Sequence, residues 1–328
     1  MAGIGAFISG GKSLETTLGR VEHADRLGFD AVYTTQVAGR DALTLLTAYA
    51  SVTEQILLGT GVTPIFARTP VAMAQAAATI DEFSGGRMVL GLGVSHQVTV
   101  ENWYDAKISK PVKQMREYVG IVRAILCGEP PPQGAFFNTR FQLMGYEPRP
   151  ELPIYVAALS PNMLRLAGEI ADGVMLWLCS PAYIRDVVVP EVTAGRERAG
   201  KALAGFDVVA AVPVALTEEV EAARATMRQE LITYASLPFY RAMLEHSGFG
   251  AELAAFDEGI QAGDIERAKA GLSDQMLGAL AGIGDADEVR AAVDRYREAG
   301  ALSPCVGGVP RSDFDAALDA VAELIQRV

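Results

Sequence analysis

The feature that most constrains this chain is an alternation of two periods, repeated along nearly all of its 328 residues. Short apolar, β-branched runs are followed each time by a longer stretch with apolar residues at helical spacing. Residues 3–8 read as a strand, and Leu14, Leu18, Val21 and Leu27 then share one helical face. Residues 31–33 and 56–58 are the next strands, with Pro70 placed for the first turn of the helix that follows the latter. Residues 88–90, 154–156, 173–176, 208–214 and 305–307 complete the set, each with its helix. The last helix is marked by Phe314, Leu318, Val321 and Leu324.

Sustained alternation requires a parallel sheet, because parallel neighbours are joined by crossovers. Eight strand-then-helix units in a chain of this length predict an α/β fold, a closed (β/α)8 TIM barrel. An open doubly wound sheet is the rival. Gly91-Leu92-Gly93 follows a strand, but His96 stands where a dinucleotide loop needs its third glycine. The barrel is favoured, as one domain over residues 1–328. Two stretches exceed the repeat. Phe136, Phe137, Phe141 and Leu143 around Asn138-Thr139 suggest a hairpin, and residues 235–283 suggest a helical insertion after the seventh unit, lying over the barrel mouth.

Composition removes several classes of function. Lys and Arg number 28 against 40 Asp and Glu, a net charge of −12, which disfavours phosphate backbones and anionic lipid surfaces. No run approaches the roughly 20 apolar residues of a bilayer span, and the N-terminus lacks the basic start of a signal peptide. Cys127, Cys179 and Cys305 show neither metal nor redox spacing. The expectation is a cytoplasmic protein acting on a small molecule, with no metal, nucleic acid or membrane partner.

In a barrel the chemistry belongs at the C-terminal ends of the strands. That selects the segments 34–36, 61–64, 93–96, 157–163 and 307–309. Ser160-Pro161 reads as the cap and first residue of a helix, whose N-terminus could hold a phosphate without lysine, although most capped helices bind nothing. No nucleophile elbow, Walker loop or H-E-x-x-H occurs. Of His23, His96 and His246, His23 falls mid-helix, His246 falls in the insertion, and His96 alone follows a strand. Anion loops with little acid–base machinery suggest that a cofactor does the hard chemistry.

These segments join into a pattern that resembles the bacterial luciferase-like superfamily. It is carried by Gly28-Phe29-Asp30-Ala31-Val32-Tyr33, by Leu58-Gly59-Thr60-Gly61-Val62-Thr63-Pro64, and by the run from Asp81-Glu82-Phe83-Ser84-Gly85-Gly86-Arg87 through Gly93. Ala167-Gly168-Glu169-Ile170-Ala171-Asp172-Gly173 adds to it. Gly93-Val94-Ser95-His96, with Lys110-Pro111 and Met115-Arg116-Glu117-Tyr118, is similar to the branch that uses coenzyme F420, which includes methylenetetrahydromethanopterin reductase. The resemblance implies a deazaflavin, or alternatively FMN, at the C-terminal mouth. Gly61-Val62 matches a non-proline cis peptide behind the ring in that reductase. Thr35, Gly93, Val94 and Ser95 match further cofactor-lining positions, and Ala158-Leu159-Ser160-Pro161-Asn162-Met163 matches the phosphate loop. A homodimer is implied as well.

One departure matters. Several F420 enzymes of the superfamily carry Asp-His after the second strand, where this chain has Thr35-Gln36. That leaves His96 as the proton donor and Gln36 as a hydrogen-bonding residue. The expectation is an F420-dependent oxidoreductase, with hydride passing between the deazaflavin C5 and a C=C or C=N bond. An FMN-dependent monooxygenase fed by a flavin reductase is the second reading, and a flavin-binding barrel without turnover the third.

Overall fold

The structure, a computed structural model, describes residues 3–9, 11, 13–310 and 312–325. Its strands are β1 (Gly5–Phe7), β2 (Ala31–Thr34), β3 (Leu57–Thr60), β4 (Met88–Gly93), β5 (Ile154–Ala157), β6 (Gly173–Leu176), β7 (Asp207–Leu216) and β8 (Ser303–Gly308). All are parallel in chain order, and β8 closes the ring by pairing with both β7 and β1. Gly5 stands opposite Ala31 on one side and Cys305 on the other. This is the TIM barrel expected from the alternation. Gly91 lies inside β4, not in a loop after it, which settles the rival fold. A Cβ there would sit 1.9 Å from the Thr60 carbonyl oxygen.

Period-two alternation sorts each strand into two layers. Ala31, Tyr33, Val89, Tyr155, Met175, Val209 and Cys305 fill the barrel, with Phe7, Leu57 and Val62 against them. Val32, Leu58, Leu90, Val156 and Val174 point outward into the larger core beneath the helices. The most recognisable sequence runs hold the end of the barrel where the strands begin. Asp81 accepts from Arg149 Nε and Nη2 (2.9 and 2.7 Å) and from the Met88 N–H (3.1 Å). Arg87 donates to the carbonyls of Ser84, Ile56 and Thr53. Asp172 accepts from the Ile154 N–H and pairs with Arg123.

Two expectations need correction. Residues 135–143 form no hairpin. Their amides turn instead to Glu117, whose carboxylate accepts from Ala135, Phe136 and Phe137, while Phe137 packs edge-on on Tyr118 at 5.3 Å. The insertion lies within the seventh unit, not after it. Helix Val220–Ala235 carries the apolar stripe Ala223, Met227, Leu231 and Ala235 that reads as a barrel helix, but it packs on other helices of the insertion. Helices Pro238–His246, Gly250–Gln261, Ile265–Gly271 and Asp274–Leu280 follow, then a short strand, Gly282–Gly284, beside the top of β7. Helix Ala286–Glu298 packs on β7 and β8, as does the last helix, Phe314–Ile325.

Candidate active site at the mouth of the barrel

The C-terminal ends of β2, β3 and β4 are tied together by backbone. The Gly61–Val62 peptide is cis, as the resemblance implied. On its two sides, Gly61 N–H donates to the Thr34 carbonyl (2.8 Å) and the Val62 carbonyl accepts from Gln36 N–H (3.1 Å). The chain then continues as a short strand, Thr63–Pro64, against the end of β4. Glycine at 61 and 93 has a packing cause. A Cβ on Gly61 would lie 2.4 Å from Phe7 Cε1, and one on Gly93 would lie 2.7 Å from Val62 Cγ2. Ser95 (φ 60°) and Leu178 (φ 47°) hold left-handed backbone just past β4 and β6. Such residues gather where a site constrains the chain, at about 1–2 kcal/mol each.

Helix Pro161–Ile170 begins directly above β5. Ser160 occupies its N-cap with extended backbone, yet its side chain makes no capping bond, whereas Ser13, Thr69, Ser180 and Ser273 all cap theirs. The backbone N–H groups of Ser160 and Asn162 have no acceptor among the described residues. Open amides at the positive end of a helix are an anion seat. Ala158 and Met163 are buried beneath it, and the Tyr183 hydroxyl pins the loop by donating to the Leu159 carbonyl at 2.9 Å.

The polar candidates differ in how free they are. The Gln36 side-chain oxygen accepts from the Ala42 N–H (2.8 Å), where helix Ala42–Ala50 begins, which fixes the side chain and leaves its amide nitrogen without a partner among the described residues. Thr35 Oγ1 shares a 2.9 Å hydrogen bond with Ser9 Oγ. His96 caps no amide of the helix it precedes, Gln97–Tyr104. Its ring is open to solvent on one side, and partial burial on the other lowers its pKa below 6.5. Glu101 is exposed and held by Gln97 Nε2 at 2.8 Å, a solvated loop charge. His23 pairs with Asp319 on the surface, and the Cys179 thiol is buried, with its pKa pushed up by that burial.

Sequence reasoning missed an arc of rings. Phe7 packs on Tyr33 (5.6 Å between centroids) and on Trp177 (6.1 Å, 70°). Trp177 meets Tyr234 at 6.4 Å, Tyr234 meets Tyr240 at 4.9 Å, and Tyr240 reaches His96 at 6.2 Å. The insertion thus crosses the mouth, from the end of β6 to the end of β4. A second tie is Ser247 Oγ, 2.7 Å from Ser180 Oγ. Trp177 follows Met175 at strand spacing and was legible as an inward residue, but nothing in the sequence places Tyr234 and Tyr240 opposite it. Its buried indole N–H has no partner in hydrogen-bonding geometry, although the Tyr234 side chain stands close by. A cleft of about 610 Å³ elsewhere, in the loop before β5, holds none of these groups.

The fold and the mouth define a class: a (β/α)8 barrel whose strand ends carry uncapped helix amides, a buried indole N–H and a wall of aromatic rings. Sequence comparison gives the class its name. The profile of the family described as luciferase-like monooxygenases matches residues 1–303, and the chain belongs to that family. A Mycobacterium tuberculosis protein provisionally assigned as a coenzyme F420-dependent oxidoreductase is 32% identical over 302 residues, 85% of this chain and 87% of its own. The 5,10-methylenetetrahydromethanopterin reductase of Archaeoglobus fulgidus is 32% identical over 296 residues, 88% of each chain. In fold, the coenzyme F420-dependent tetrahydromethanopterin reductase of Methanopyrus kandleri superposes with a TM-score of 0.85 at 24% identity over 99% of both chains.

Proposed function

We propose that this protein is an F420-dependent oxidoreductase that moves hydride between the deazaflavin and a small organic substrate, with reduction of an activated C=C or C=N bond as the favoured direction. The observation that carries this reading is the 32% identity to a methylenetetrahydromethanopterin reductase over 88% of both chains. The mouth fits such a group, since the uncapped amides at Ser160 and Asn162 suit a phosphate and the orphaned Trp177 N–H suits a polar ring edge. When bound, the deazaflavin supplies hydride at its C5.

The residues have separable tasks. The open amides of Ser160 and Asn162 would hold the phosphate. Gly61-Val62 and Gly93-Val94-Ser95 would form the wall behind the ring, with Thr35 and the Gln36 amide nitrogen available at its edge. Phe7, Trp177, Tyr234 and Tyr240 exclude water and orient the substrate. His96 faces the same mouth, where its lowered pKa keeps it neutral near pH 7. A neutral imidazole donates a hydrogen bond readily but releases a proton poorly, so water supplies the proton at higher pH.

The test is anaerobic reoxidation of reduced F420 by a panel of C=C and C=N acceptors. Deuterium placed at C5 should appear in the product. The family's monooxygenase description favours a second reading, in which reduced FMN is bound and oxygen consumed. Oxygen uptake with reduced FMN, and none with reduced F420, would select it.

A further inference from the structure

The insertion brings an acid to the mouth that the reaction above does not use. Glu230 lies one turn before Tyr234 on helix Val220–Ala235, so the two side chains share a face. Glu230 makes no ion pair or hydrogen bond among the described residues. Solvent reaches it, yet the surrounding atoms desolvate its carboxyl enough to raise its pKa, and its charge is felt at the Tyr234 phenol. Tyr234 in turn packs with Trp177 and with Tyr240 at inclinations of 55° and 63°, which turns ring faces in several directions along one wall. The hydroxyl of Tyr240 has no hydrogen-bond partner among the described residues, and that of Tyr234 faces the Trp177 indole.

An unpaired carboxylate next to stepped aromatic faces has one complementary ligand chemistry. A positively charged nitrogen group is attracted by the ring faces and gains a counter-charge, while the carboxylate regains the partner that desolvation denies it. The net charge of −12 draws cations toward the protein in general. We propose that the inner face of the insertion seats a cationic amine or quaternary ammonium group of the substrate, with Glu230 as counter-ion and Trp177, Tyr234 and Tyr240 as the wall. The inference rests on placing the active site at this mouth, and it names the class of substrate that the mouth selects.

The test uses choline and its uncharged carbon isostere, dimethylbutanol, titrated into the protein. Trp103→Phe leaves Trp177 as the sole tryptophan, so its fluorescence reports the wall. Choline should bind about tenfold more tightly than the alcohol. Glu230→Gln should erase that preference, and Tyr234→Leu should weaken choline binding in a chain whose circular dichroism is unchanged. Equal affinity for the two probes, or choline binding untouched by Glu230→Gln, overturns the proposal. A separate cofactor titration decides the other question. Choline selectivity without deazaflavin binding keeps this seat and removes the proposed reaction, and deazaflavin binding without choline selectivity removes this seat alone.

Discussion

The ring of Tyr240, carried by the insertion, lies 6.2 Å from the ring of His96 at the end of the fourth strand, inclined by 52°. The two residues are far apart in sequence, yet each covers the other. The insertion therefore supplies one of the groups that surround a histidine at the strand ends.

That contact has a measurable consequence. Burial lowers the His96 pKa below 6.5, so an unfolded chain takes up its proton first and the His96 contribution to stability falls as the pH drops below 6.5. With only three histidines, proton NMR can follow each ring. His96 should titrate below 6.5, and Tyr240→Ala should move its midpoint upward. Where His96 gives the proton in turnover, the rate falls as pH rises through that low midpoint, and His96→Phe flattens the profile.

Ser160→Asp separates a structural cap from an anion seat. An acidic N-cap suits helix Pro161–Ile170, so stability should hold or rise by about 1 kcal/mol. The same charge occupies the place of the phosphate, so cofactor affinity should fall by well over tenfold. Thermal unfolding and a binding titration read the two effects in one variant. Unchanged affinity in the folded variant would remove the phosphate from this loop.

Gly61 is fixed by Phe7. Gly61→Ala drives a methyl group to 2.4 Å from the Phe7 ring and should cost about 1–3 kcal/mol in denaturant unfolding. Phe7→Leu in the same chain should recover part of that loss, which a double-mutant cycle measures as coupling. Strict additivity would mean that the clash is relieved elsewhere.

At the opposite end of the barrel, Asp207 is buried and accepts from Ser303 Oγ (2.8 Å) and Tyr155 Oη (3.0 Å). Burial raises its pKa, and the two hydroxyls only partly offset this. Its protonated form is favoured by folding, so its contribution is full below 3.8 and lost as pH rises through the folded value. Stability should decline from about pH 4 toward neutrality by this route, and Asp207→Asn should remove the slope. Asp315 runs the other way. Arg20, at 2.6 Å, lowers its pKa, so its contribution is lost only as pH falls below 3.8.

What the sequence made legible follows from where its signals act. All eight strands were placed because each alternates between two apolar layers, and Val32 beside Tyr33 shows both. The family was readable through Asp81, Arg87 and Asp172, which hold the base of the barrel and say nothing of substrate. Gly61, Gly93 and Ser160 stood out as candidates because backbone geometry leaves a trace in residue type. The insertion was placed one helix late, since the stripe from Ala223 to Ala235 is the same whether it packs on a barrel or on neighbouring helices. The contacts of Tyr234, Tyr240 and Glu230 depend on how that insertion folds back, which no local period encodes.

The most direct measurement is a pair of titrations of the apo-protein, one with F420 and one with FMN, followed by calorimetry or fluorescence. The account predicts micromolar or tighter binding of F420 and much weaker binding of FMN, with Ser160→Asp abolishing the former. A preference for FMN would contradict it and make the protein a flavin monooxygenase in search of its reductase. Binding of neither would leave the barrel and its family standing without the proposed chemistry.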